Sequence, residues 1–136
     1  MDKNYFRARE IINKARHELE KIYNSADHKG IEDQEANSLL EILIEKLEAA
    51  ESEINYLSSP VKEGRLIEDG SRGKFYIEYD DKTESPVLNC GSALELYYND
   101  EWHIGRVEAT DGKYFFYGED RPFLYTSMKA RKRIID

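Results

Sequence analysis

Between Leu94 and Tyr117 the chain reads LELYYNDEWHIGRVEATDGKYFFY, and this stretch leaves few folds open. Leu94, Leu96 and Tyr98 alternate with Glu95 and Tyr97, the period of two that marks a half-buried strand. Asn99-Asp100 follows; both residue types tolerate positive φ and hydrogen-bond their own backbone in turns. Trp102 to Ala109 is rich in strand formers around a central Gly105. Trp102 and Ile104 share one face, while Val107 and Ala109 share a face one residue out of phase. A bulge at Gly105 is therefore predicted, bringing both pairs to the core. Asp111-Gly112 is a hairpin signal between apolar runs, and Tyr114 to Tyr117 is a third strand. Three strands on turns this short make a meander, and a small, strongly bent meander is expected to close into a barrel.

The N-terminal half follows a different period. Tyr5, Ala8, Ile12, Ala15, Leu19 and Ile22 keep a 3-4 spacing, one stripe of an amphipathic helix ending near Asn24. Ser25 to Asp33, with Gly30, reads as a turn. A second helix is predicted from about Asp33 on the stripe Ala36, Leu40, Leu43, Leu47, Ala50, Ile54 and Leu57. Ser58-Ser59-Pro60 ends it, because the residue before proline avoids the α region. The two stripes suit an antiparallel pair with Ile22 opposite Ala36 and Ala15 opposite Leu43. Two helices bury only narrow stripes, so the hairpin is expected to dock or dimerise.

Strands are also predicted at Gly64 to Ile67 and at Lys74 to Tyr79, the latter with Phe75, Ile77 and Tyr79 on one face. The turn between them is Asp69-Gly70-Ser71-Arg72-Gly73. Pro86 to Leu88 reads as an edge segment, since proline cannot donate inside a ladder. In the closing strand Met128, Ala130 and Lys132 alternate with Lys129, Arg131 and Arg133. Its basic run reads first as an edge strand guarded by charge.

These motifs carry a resemblance. Gly64-Arg65-Leu66, Glu101-Trp102, Gly105-Arg106-Val107, Tyr114-Phe115-Phe116 and the basic strand Met128 to Arg133 resemble the bacterial domain-of-unknown-function family 5348. The similarity covers the C-terminal half only. It implies an SH3-like small barrel and no particular activity.

Composition narrows the chemistry. A net charge of −8 disfavours a generic nucleic-acid coat or an anionic-membrane binder. Residues 1–58 carry 8 Lys/Arg and 13 Asp/Glu, against 12 and 15 in residues 59–136. No apolar run reaches membrane-spanning length, so no membrane association is expected. Cys90 is the single cysteine; it excludes a disulfide framework, points to a reducing cytoplasm, and reads as a small buried thiol. His17, His28 and His103 lack metal-ligand spacing and read as surface or boundary residues, so neither metal nor cofactor is expected. No carboxylate pair, phosphate loop or nucleophile motif points to catalysis.

The sequence therefore predicts an α+β chain: a coiled-coil-like helical hairpin over 1–60, then an SH3-like antiparallel β-barrel over 61–136. The function it suggests is that of a non-enzymatic cytoplasmic interaction module, with a protein partner or self-association. Its candidate protein-binding residues are Tyr97, Trp102, Phe115, Tyr117 and Tyr125, too many aromatic rings to fit inside so small a barrel. The alternative is a nucleic-acid-associated factor using Arg106, Lys129, Arg131, Lys132 and Arg133.

Overall fold

Two helices come first. α1 (Lys3–Ser25) begins where the Asp2 side chain accepts the Asn4 N–H at 2.8 Å, and ends where Ala26 N–H donates to the Ile22 carbonyl. α2 (Ile31–Ser58) starts two residues before the expected Asp33, because Glu32 and Asp33 occupy its first turn and oppose the helix dipole. Gly30, at φ +100°, supplies the sharp entry. The computed structural model describes residues 1–70 and 73–135, so Ser71 and Arg72 of the expected turn lie outside the described residues.

The chain divides into two compact units, Met1–Ser59 and Pro60–Asp136. Within the first, Ile22 and Ala36 line one hollow, in keeping with the expected register. Ile44 is the one buried residue of the described helices. A polar clasp adds to the shallow seam: Glu51 accepts from Asn13 Nδ2 at 2.7 Å and from Arg16 Nε at 2.8 Å. Arg16 also holds Glu20, one turn along α1.

The second unit is a six-stranded antiparallel sheet. Its strands are β1 (Val61–Glu68), β2 (Phe75–Tyr79), β3 (Ala93–Tyr98), β4 (Glu101–Thr110), β5 (Lys113–Tyr117) and β6 (Lys129–Arg133), in the order β2-β1-β6-β3-β4-β5. The β3-β4-β5 meander is present, with Asn99, Asp100, Asp111 and Gly112 all at positive φ in its two turns. Leu66, Ile77, Leu94, Leu96, Val107 and Phe116 are fully buried and form the centre of the core.

The barrel does not close. β2 and β5 stand at opposite ends of the sheet, and each free edge is already occupied. Along β2, Ser85 N–H donates to Ile77 O and Leu88 N–H to Phe75 O, so the Pro86 segment lies on an edge as its proline requires. Along β5, Phe116 N–H donates to Pro122 O and Leu124 N–H to Tyr114 O. These segments satisfy the groups that closure would have paired.

Three further expectations change. β4 pairs without a skipped residue with β3 (Ala93↔Arg106 to Tyr98↔Glu101) and with β5 (Arg106↔Tyr117 to Thr110↔Lys113), so Gly105 carries no bulge. The glycine is there because β5 lies close across it: a Cβ would sit 2.4 Å from the Tyr117 carbonyl oxygen and 2.6 Å from the Phe116 ring. Trp102 and Ile104 therefore point away from the core. β6 is not an edge strand, since it lies between β1 and β3. Cys90 is exposed, at the tip of a turn closed by Asn89 and Ser92 after Leu88 has anchored the chain in the core.

Candidate functional site

Strand alternation sends one set of side chains to the core and the other to the outer face. On β3 the outer set is Glu95 and Tyr97, on β4 it starts with Trp102, and on β6 it is Lys129, Arg131 and Arg133. Glu95 is fully buried. Arg131 Nε donates to its Oε1 at 2.9 Å and Arg133 Nε to its Oε2 at 2.8 Å. Burial pushes the Glu95 carboxyl up, but the hydrogen bonds from Arg133 and Arg131 outweigh it and hold it below the ordinary glutamate value.

Aromatic rings surround this ion cluster. The Arg131 guanidinium lies 4.2 Å from the Trp102 ring centre. Tyr97 meets Trp102 edge-on, with centroids 5.3 Å apart. Lys129 Nζ lies 4.7 Å from the Tyr97 ring. Beside this platform is a groove of about 450 Å³, lined by Arg65, Tyr97, Tyr125, Ser127, Lys129 and the buried Met128. Arg65 and Lys129 are direct partners across β1 and β6. Among the described residues neither forms an ion pair; Arg65 donates to the Ser127 carbonyl at 3.2 Å. Tyr97 is 37% and Tyr125 62% exposed.

The structure gathers only part of the predicted set. Tyr97, Trp102 and Lys129 come together, and Tyr125 joins them across the groove. Tyr117 pairs instead with Arg106, between the guanidinium groups of Arg106 at 4.3 Å and Arg121 at 4.4 Å. Phe115 bridges Phe123 at the sheet's end. The five basic residues do not form one patch. Arg131 and Arg133 hold Glu95, and Arg106 holds Glu108 at 2.7 Å. Lys132 alternates to the other face, where burial lowers its pKa. Two residues that sequence reasoning passed over take part: Arg65, read only as part of Gly-Arg-Leu, and Glu95, read as a polar alternate. Their roles depend on β6 pairing with β1 and β3, which local patterns do not reveal.

Residues 64–132 match the family described as domain of unknown function (DUF5348), about half of the chain. The chain belongs to this family. The DUF5348 region contains Arg65, Glu95, Tyr97, Trp102, Tyr125, Lys129 and Arg131, so the groove and most of the ion cluster lie within the matched residues. Arg133 lies one residue past the match, and the helices lie outside it. No curated protein and no solved structure matches the chain. Among the described residues no helix is long and apolar enough to cross a membrane.

Proposed function

We propose that the DUF5348 unit is a non-enzymatic peptide-binding module whose groove takes an extended acidic segment of a partner protein. One observation carries this reading: Arg65 and Lys129 stand directly opposite each other, without ion-pair partners among the described residues, in a groove that two exposed tyrosines also line. Like charges at a cross-strand pair repel. Carboxylates in the groove relieve that repulsion, and Arg65 offers them a bidentate fork. Tyr97 and Tyr125 supply rigid apolar contact with polar tips. The chain's net charge of −8 makes this basic pair more telling than it would be in a basic protein.

The ion pairs also weigh against the nucleic-acid alternative, since a phosphate backbone needs a run of available cations. Of the five candidate basic residues, Lys129 alone lines the groove. Exposed Ile11, Ile31 and Leu39 support the hairpin as a docking or dimerisation element. A single exposed thiol suits a reducing cytoplasm.

Fluorescence anisotropy with three labelled probes tests the reading: a peptide alternating glutamate and leucine, its lysine counterpart, and single-stranded DNA of similar length. The acidic peptide alone is expected to bind, and Arg65→Glu with Lys129→Glu is expected to weaken it about tenfold, two exposed charge contacts being worth about 1.4 kcal/mol together. Preferential binding of the DNA would transfer the groove to the nucleic-acid reading. Equal binding of both peptides would remove the charge argument.

A further inference from the structure

A second cluster lies behind Tyr98, which also lines the groove, and among the described residues it lacks a Lys or Arg counter-charge. Glu101 and His103 are two residues apart on β4 and so share a face. The chain leaving β5 brings Glu119 to the same place, passing Phe116 so closely that a Cβ at Gly118 would lie 2.7 Å from its ring. One ligand atom from each of Glu101, His103 and Glu119 lies within 4.8 Å of the others. Among the described residues no Lys or Arg pairs with Glu101, Glu119 or the adjacent Asp120; the ion-pair neighbour of both glutamates is His103.

His103 adds an independent observation. It is 8% exposed, although its type and spacing suggested a surface or boundary residue. Its ring stacks on Tyr98 at 3.8 Å and 6°. Its Nε2 lies 3.0 Å from the Tyr98 carbonyl oxygen. A carbonyl only accepts, so Nε2 is the donor in this contact. Nδ1 faces Glu119 Oε2 at 4.0 Å, while Glu101 Oε1 lies 3.7 Å from Nε2. A backbone carbonyl fixing one ring nitrogen is also how metal-binding imidazoles are held in their ligating tautomer.

We infer that His103 Nδ1, Glu119 and Glu101 form a binding site for a divalent transition cation of the zinc type. Zinc binds imidazole nitrogen and carboxylate oxygen at about 2.0–2.2 Å, which puts tetrahedral ligands about 3.4 Å apart. The two carboxylates must close in by at most about 1.4 Å from the present spacing. Their side chains are 68% and 82% exposed and are free to swing, while the imidazole stays fixed by burial and stacking. Calcium, which takes oxygen ligands, gains nothing from His103.

The test is a calorimetric titration of the full chain with zinc chloride, followed by histidine-ring NMR, with calcium chloride as the comparison. One zinc per chain is expected, moving the His103 ring signals and leaving His17 and His28 in place. Glu119→Gln is expected to weaken zinc about tenfold or more, and His103→Gln to abolish saturable binding. The exposed Glu119 gives a variant that keeps the fold, checked by circular dichroism. Zinc binding unchanged in Glu119→Gln, shifts confined to His17 and His28, absence of saturable binding, or calcium binding as tightly as zinc would each overturn the assignment.

Discussion

Glu95 and Arg131 are cross-strand partners between β3 and β6, and their side chains meet at 2.9 Å over a carboxylate with no solvent exposure. Their contact joins segments 36 residues apart and, with Arg133, supports the ring platform of Trp102 and Tyr97. Breaking a buried ion cluster on one side leaves the other side's charge uncompensated. Glu95→Gln is therefore expected to cost about 3 kcal/mol in urea unfolding. Replacing Glu95, Arg131 and Arg133 together with apolar residues of similar size should cost less than the single change. A Glu95→Gln cost below about 1 kcal/mol would mean that the cluster contributes as little as an exposed pair.

The same carboxylate makes stability depend on pH. Its folded pKa lies below the ordinary value of 4.5. A depressed carboxylate contributes stability that is complete above the unfolded pKa and is lost as pH falls through the folded one. The gap in unfolding free energy between the native chain and Glu95→Gln should hold steady near neutrality and narrow below about pH 5. Asp81, held to about 2 by the Thr83 hydroxyl and by Lys62, acts in the same direction at still lower pH. A gap that widens on acidification would reverse the assigned sign.

Gly105 is expected to resist even the smallest substitution. Its Cβ position is crowded by the Tyr117 carbonyl oxygen and by the fully buried Phe116 ring. Gly105→Ala should destabilise the sheet unit by about 2 kcal/mol through overpacking. Thermal unfolding monitored by the near-ultraviolet signal of Trp102 measures this, and an unchanged midpoint would show that the ring and the Tyr117 carbonyl give way at no cost.

Cys90 offers a simple check on the loop that precedes β3. As an exposed thiol it should react with an aromatic disulfide reagent in the native chain at a rate close to that in denaturant. Strong protection in the native chain would place Cys90 inside, where its residue type alone suggested it would be.

The elements themselves were legible because their signals are local. The 3-4 stripes gave both helices, Asn99-Asp100 and Asp111-Gly112 gave the turns, and Phe75, Ile77 and Tyr79 gave the buried face of β2. What failed was decided between distant segments. Gly105 looked like a bulge because its reason, the Phe116 ring, belongs to another strand. The basic strand β6 looked like an edge because Glu95, which neutralises two of its arginines, cannot be paired with it before the sheet order is known. Closure looked natural until the segments along β2 and β5 were seen to occupy the edges. Half of the site was visible for the same reason: Tyr97, Trp102 and Lys129 stood out by type, whereas Arg65 joined only through its register with Lys129.

The most direct test of the central claim is a footprint of the acidic glutamate-leucine peptide on the isotopically labelled full chain. The account predicts saturable backbone shifts at Arg65, Tyr97, Tyr125, Ser127 and Lys129, lost in the Arg65→Glu, Lys129→Glu chain. Shifts centred on Tyr117 and Arg106, or on the helices, with the groove unmoved, would contradict it.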